Sequence, residues 1–145
     1  MNADNIRPLR HAIVAIINDS EETLLIERGR NDTYPGYWSS VTGSLDGDES
    51  QQAAIIREAH EEVGLNVRPM RKLWESVTRG AHFVLHWWLC ELADSCRNCT
   101  PQPEEVEDTK WVKYADLETV TPMFSDTRHF FRDIYPEAIK NKVKS

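Results

Sequence analysis

Residues 43–65 read GSLDGDESQQAAIIREAHEEVGL, from Gly43 to Leu65, and the rest of the chain is interpreted around this stretch. Ser50 has the side chain of an N-cap, the run to Val63 is rich in alanine and charged residues, and Gly64 stands where a C-terminal glycine belongs. The pattern predicts a helix from Ser50 to Val63. At about 100° per residue, Glu58, Glu61 and Glu62 share an arc of roughly 100°. Ile55, Ala59, Val63, Ile56 and Ala53 are assigned to the opposite, packing side. Carboxylates three and four residues apart lie about 5–6 Å from one another and repel. At an effective dielectric near 20, each such pair costs on the order of 3 kcal/mol. Arg57, four residues before Glu61, offsets part of this. Two readings follow from the residues alone: the solvated face of an amphipathic helix, or a site where carboxylate oxygens converge on a hard cation such as Mg²⁺ or Mn²⁺.

The 145 residues make one ordinary domain, large enough to bury a hydrophobic core without disulfides or metal. Composition is 40% hydrophobic and 28% charged, with a mean hydropathy of −0.56. Seventeen Lys and Arg against 24 Asp and Glu give a net charge of −7. That balance excludes a general binder of nucleic acid or of anionic membranes, which needs a basic face. It also argues against phosphate ligands, unless a cation reverses the sign. No run reaches the roughly 20 apolar residues of a membrane span, and MNADNIRPLR has no apolar segment of a signal peptide. Cys90, Cys96 and Cys99 cannot all pair within the chain, so a reducing, cytoplasmic address is expected.

Around the central helix, residues 11–17 (HAIVAII) and 22–28 (ETLLIER) predict a hairpin or two neighbouring strands. Residues 29–36 (GRNDTYPG) predict a loop. Tyr37 to Val41 predicts a short strand and Thr42 to Glu49 a second loop. Further strands are expected at 65–78 and 82–91, with a turn at Arg79-Gly80, and from Val106 to Val112. Residues 93–104 predict a loop and Ser125 to Tyr135 a second helix. Strands with one central and one C-terminal helix imply an α+β or layered αβα domain.

The stretch from Gly43 to Leu65 resembles the Nudix box, G-x5-E-x7-R-E-U-x-E-E-x-G-U with U apolar. Gly43, Glu49, Arg57, Glu58, Glu61, Glu62 and Gly64 fill the fixed positions, and Ala59 and Leu65 the apolar ones. Seven such identities arise by chance on the order of 10⁻⁸ times per starting position. Resemblance to the Nudix hydrolases, the MutT-like enzymes, implies an αβα sandwich with a mixed central sheet over residues 1–145. It also implies Mg²⁺- or Mn²⁺-dependent cleavage of a phosphoric anhydride by water. By position, Glu61 and Glu62 resemble the family's direct metal ligands, and Glu58 its metal ligand or general base. Arg57 then orients the glutamates, and Glu49 ties the loop to the helix. The carbonyl of Thr42 completes the metal shell. Gly43 lets the loop turn tightly, and Gly64 closes the helix. The stretch 105–111 is similar to the family's E-[apolar]-x4-W pattern and nominates Glu105, with Glu104 and Glu107 as fallbacks.

A small phosphorylated molecule is the partner this resemblance implies. The family's frequent dimers make a homodimer a candidate state. The segment WSSVTGS, Trp38 to Ser44, is similar to the loop of the dihydroneopterin triphosphate pyrophosphatase branch rather than to the commoner P-G-G form. Nucleoside triphosphates, dinucleoside polyphosphates and nucleoside diphosphate sugars are the alternative substrates. Arg28 and Arg30 are candidates to meet substrate phosphates, and Trp38, Trp87, Trp88 and Tyr34 to stack on a ring. For each, surface charge or packing is the competing explanation. Cys96-Arg97-Asn98-Cys99 has CxxC spacing but lacks the regular second pair of a four-ligand zinc site. Two rival classes are a catalytically silent Nudix-fold nucleotide sensor and a prenyl diphosphate isomerase. The first is expected to lose box glutamates that this chain keeps. The second calls for an active-site cysteine and a larger chain.

Overall fold

The computed structural model describes residues 9–78 and 82–140, so the turn expected at Arg79-Gly80 lies outside the described residues. Strand β1 (Arg10–Asp19) carries six consecutive buried residues, Ala12 to Ile17. An uninterrupted apolar run of this kind belongs to a strand covered on both faces. It joins β2 (Glu22–Arg28) through Ser20 and Glu21, both at positive φ. The hairpin is paired only at Asn18↔Thr23 and Asp19↔Glu22. Beyond that the strands part, and the gap is filled from elsewhere in the chain.

β1 pairs antiparallel with β4 (Val41–Ser44) and parallel with β6 (Phe83–Leu92). β2 pairs antiparallel with β3 (Trp38–Ser39) and with β7 (Val106–Lys113). β5 (Val67–Val77) closes the other side against β6. The result is one mixed seven-stranded sheet. The second loop expected from Thr42 therefore begins later, after Ser44. The expected strand over 37–41 is interrupted at Ser40, where pairing passes from β2 to β1.

Helix α1 (Gln51–Val63) packs on one face through Ala54, Ile55, Ala59 and Val63 against Ile13, Ala15, Leu24, Ile26 and Val41. The other face holds Val14, Ile16, Leu25, Trp87 and Val112 against Phe130 and Phe131 of the C-terminal segment. That segment is α2 (Ser125–His129), a π-helical turn (Phe130–Ile134) and α3 (Tyr135–Lys140), so it runs beyond the expected end at Tyr135. A 3-10 helix, Tyr114–Thr119, leads into it. Helices on both faces of a mixed sheet make the αβα sandwich expected. Among the described residues no helix is long and apolar enough to cross a membrane.

Candidate active site

The ends of α1 are built as the residues require. Ser50 Oγ accepts the Ala53 N–H at 3.1 Å, and Gly64 closes the helix at φ +71°. A side chain at 64 would also press on Thr100, whose Cβ would lie 3.0 Å from an added Cβ. One expectation for this helix is overturned. Its buried stripe includes Glu62, 4% exposed, whereas Ile56 is 47% exposed. At about 100° per residue, Glu62 lies only about 20° from Ile55, and Ile56 falls outside the half of the circumference running from Ala54 to Val63. Three carboxylates thus occupy three environments: Glu61 exposed, Glu58 half-buried and Glu62 buried.

Arg57 organises them. Its Nε and Nη2 donate to the two carboxylate oxygens of Glu49 at 2.8 and 2.9 Å. Nη2 also donates to the Ser44 carbonyl at 3.0 Å. Nη1 donates to Glu58 at 2.8 Å and to Glu61 at 3.1 Å. A planar guanidinium can serve such a fan of acceptors where a lysine could not. The Arg57 bonds, with a backbone bond from Asp46, lower the Glu49 pKa to about 2, and Glu49 in turn raises that of Arg57. Arg57 thus bonds to Glu49, Glu58 and Glu61, and Glu49 accepts from the Asp46 N–H as well as from Arg57.

Gly43 is needed for a different reason from the one expected. It lies in β4, paired with Ile13, and makes no sharp turn. Instead the Glu58 carboxyl occupies the space of its missing side chain: an added Cβ would lie 2.1 Å from Glu58 Cδ. Beside it, burial first, then hydrogen bonding and charge from Glu58 and the charge of Glu105, push the Glu62 pKa upward, opposed by Arg28. Glu105 reaches this neighbourhood through backbone bonds. Gln102 N–H donates to the Glu62 carbonyl at 2.8 Å, and Gly29 N–H to the Glu105 carbonyl at 3.0 Å. Hard oxygen donors, two of them sunk into the protein around an unfavourable concentration of negative charge, suit Mg²⁺ or Mn²⁺. Among the described residues no three His, Cys, Asp or Glu side chains lie close enough together to hold one ion, and Glu61 is paired with Arg57 at 3.1 Å.

Of the residues nominated for substrate, Arg28 and Trp87 line the cleft, and Arg30, Trp38, Trp88 and Tyr34 do not. Thr42, Gly43, Ser44 and Arg28 line one part of it. Arg28, Thr42, Trp87, Phe124 and Asp126 line its continuation. Arg28 sits where β2 and β7 lose register, a device that re-aims a side chain. Its guanidinium lies 5.4 Å from the Phe124 ring centre and donates to Asp32 at 3.1 Å. Arg30 is 90% exposed, 4.0 Å from Glu107, and lines neither part.

Trp38 is in the core under the Lys110 ammonium, 5.0 Å from its ring centre. Its backbone bonds to Pro122 and Phe124 anchor the chain entering α2. Trp38 therefore positions Phe124 and stacks on no ring in this cleft. Trp87 does line the cleft, whereas Trp88 faces α1 and donates to Gln51 at 2.8 Å. Tyr34 packs edge-on against Phe124 at 5.6 Å. Arg128 is spent on the carbonyls of Leu117 and Val120. The nominations passed over Thr78, Leu85, Phe124, Asp126 and Thr127. They come from the paired β5–β6 region and from the start of the C-terminal segment, and no local spacing links the two regions.

The CxxC loop is held by Arg97, which pairs with Asp19 and Glu22 and lies 4.5 Å from the Trp111 ring centre. Cys96 is exposed, Cys99 half-buried and Cys90 buried, where burial pushes its thiol up to about 12.

Fold and site together define a class: an αβα sandwich carrying an arginine-organised glutamate helix packed against the strand that lines a cleft. A family model, the NUDIX domain, matches residues 7–134. The chain belongs to the Nudix family. Among curated relatives, the NAD-capped RNA hydrolase NudC of Deinococcus radiodurans is 30% identical over 127 residues, covering 84% of this chain and 44% of that protein. The NudC of Stutzerimonas stutzeri is 26% identical, covering 83% and 42%. The chain thus spans less than half the length of these relatives. Two solved structures share the fold at a TM-score of 0.76. The MutT protein of Methanosarcina mazei is 20% identical and covers 90% of this chain and 95% of its own. The MutT Nudix hydrolase of Burkholderia pseudomallei is 24% identical, covering 88% and 99%.

Proposed function

We propose that the chain is a divalent-cation-dependent pyrophosphohydrolase that cleaves a nucleoside or pterin di- or triphosphate by attack of water at phosphorus. The observation that carries this reading is the sunken pair Glu58 and Glu62, with Glu58 held by Arg57 and packed against Gly43, which together with Arg28 lines a cleft. Glu58, Glu61, Glu62, Glu105 and the Thr42 carbonyl would draw together to hold Mg²⁺ or Mn²⁺, Glu61 giving up its Arg57 partner. The bound cation would supply charge neutralisation of the phosphates and a more acidic water. Arg57 keeps Glu58 oriented, and Arg28 meets a phosphate oxygen by exchanging its Asp32 partner. A box carboxylate within hydrogen-bond reach takes the proton of the attacking water. The cleft beyond Arg28 receives the group attached to the phosphates. The three free thiols fit a reducing compartment, and a cytoplasmic address belongs to the same reading.

The test is product analysis with the full chain and Mg²⁺. The panel takes nucleoside triphosphates, 7,8-dihydroneopterin triphosphate, dinucleoside polyphosphates, nucleoside diphosphate sugars, NAD and NAD-capped RNA. Pyrophosphate with a monophosphate product identifies a triphosphate substrate. Glu61→Gln, at an exposed position, should keep the wild-type fold by circular dichroism and lower kcat by roughly 10² or more. A protein that binds nucleotides but releases no product from the panel would be a sensor, and the hydrolase reading would be wrong. Turnover of NAD-capped RNA or NAD alone would align the substrate with the name of the NudC relatives.

A further inference from the structure

In the layer opposite α1, a second pocket of about 300 Å³ lies between the 3-10 helix Tyr114–Thr119 and the C-terminal segment. It shares no lining residue with either part of the cleft. Leu117, Met123 and Phe131, each less than a tenth exposed, form its floor. Tyr135 supplies a wall and stacks on Tyr114 at 4.7 Å between ring centres. The Tyr114 hydroxyl donates to Asn18 at 2.6 Å, so this wall is fixed before any ligand arrives. Phe131 and Arg132 reach the pocket from the π-helical turn Phe130–Ile134. Such a turn shifts side chains off the regular helical face, and these turns concentrate at functional sites. Here Phe130 stacks on Trp87 at 4.5 Å while its neighbour Phe131 lines the pocket.

The charged groups at the rim are arranged to bind an anion. In a chain of net charge −7, they are two arginines and one glutamate. Arg132 Nε and Nη2 donate side by side to the two oxygens of Glu118 at 3.0 and 3.2 Å. Arg128, fixed by the Leu117 and Val120 carbonyls, places Nη1 3.6 Å from the same carboxylate. Bonding from Arg132 holds Glu118 below the ordinary carboxylate range. The neighbouring acids Asp133 and Glu137 are paired with His129 and Lys140. The side chains of Arg132 and Glu118 are 54% and 63% exposed, and an ion pair so exposed is worth little net. Glu118 is thus a tethered stand-in that marks where a carboxylate sits and that a ligand carboxylate can replace. A guanidinium fork matches a planar carboxylate, and the aromatic walls beside it suit a ring. A cavity at the lower end of the small-molecule range holds one or two fused rings.

We propose that this pocket is a second ligand site that takes a small aromatic carboxylic acid, its ring against Phe131 and Tyr135 and its carboxylate on Arg132 in the place Glu118 now holds. Occupancy there requires none of the phosphate chemistry of the cleft.

The experiment titrates the full chain by calorimetry with 2-naphthoate and with 2-naphthamide, which has the same shape and no charge. The wild type should bind the acid more tightly than the amide. Glu118→Ala removes the competing carboxylate and should widen that ratio to about tenfold or more, the size of a charge-assisted hydrogen bond. Arg132→Gln should erase the ratio, and Arg132→Lys should restore it only in part, because an ammonium lacks the fork. Methyl resonances of Leu117 and Met123 should move on titration, while those of Val14 and Leu85 in the cleft stay. Both substituted side chains are more than half exposed, so circular dichroism should show the wild-type fold. Equal affinity for acid and amide, a ratio that does not widen in Glu118→Ala, or methyl shifts confined to the cleft would each overturn the proposal. So would failure of the Glu118→Ala protein to bind 2-naphthoate at all. A chain that hydrolyses no phosphate compound yet prefers the acid leaves this site standing and the hydrolase reading fallen. Hydrolysis without the acid preference does the reverse.

Discussion

At the residue scale, the site depends on side chains that fill space left by others. The Glu58 carboxyl lies where a Cβ at position 43 would be, 2.1 Å away. Gly43→Ala must therefore displace Glu58 from Arg57. A shift of about 1 Å in a positioned group costs on the order of 10² in rate. Steady-state kinetics should show that loss in kcat/KM, while the melting temperature changes far less than the rate. The box pattern already marked position 43 as a glycine, yet it could not give the cause. The cause is a contact between residues 15 apart in sequence, on different elements. Trp38 carries the same lesson with the opposite outcome. An aromatic residue near the box was a plausible stacking surface, but a bond from Phe124 N–H to its carbonyl makes it an anchor.

At the element scale, α1 works because its two ends and its buried stripe are fixed independently. The stripe places Glu62 among Ala54, Ile55, Ala59 and Val63, and thereby brings a carboxylate into the interior. Gly64 terminates the helix in the left-handed region and lets the 100–105 loop pass close by. Thr100 N–H then donates to the Val63 carbonyl at 2.7 Å. Gly64→Ala should cost about 1–2 kcal/mol from backbone conformation alone. The tight approach to Thr100 adds to it. Thermal melting should report this as a drop of roughly 2–4 °C per kcal/mol for a domain of this size. The helix boundaries were legible because capping is local: Ser50 and Gly64 act within one turn. The identity of the buried face was harder to read. Carboxylates ordinarily stay in water, so the helical arc alone groups Glu62 with Glu61 rather than with its neighbours in the stripe.

At the scale of the whole molecule, three strands meet at a polar network outside the cleft. His86 on β6 is 4% exposed, with Nε2 2.8 Å from His11 Nδ1 on β1 and Nδ1 2.8 Å from Lys72 Nζ on β5. Lys72 also donates to Glu75 at 2.7 Å. An ammonium only donates, so His86 Nδ1 is the acceptor, and its Nε2–H points at His11. Burial first, then the Lys72 charge, lowers the His86 pKa below its ordinary 6.5. The unfolded chain then binds a proton that the folded chain refuses. Stability from this group is complete above about pH 6.5 and declines as pH falls below it. Melting temperatures measured from pH 8 to pH 5 should show that decline, and His86→Asn should flatten it. A wild-type melting temperature that stays level across this range would count against the neutral, buried His86 described.

The sequence by itself determined the family, the existence and ends of the glutamate helix, the alternation of strands around it and the residues that Arg57 gathers. All of these rest on local periodicity, capping or a 23-residue box, and so survive without knowledge of the rest of the chain. Only the tertiary structure decided which carboxylate is buried, why residue 43 has no side chain, and which residues line the cleft. Those facts arise where β1 and β2 part to admit β3 and β4, with β6 and β7 on their outer edges, bringing Arg28, Thr78 and Asp126 from distant segments to one cavity. Contacts at that sequence separation are set by packing of the sheet between its two helical layers, and no short-range pattern encodes them.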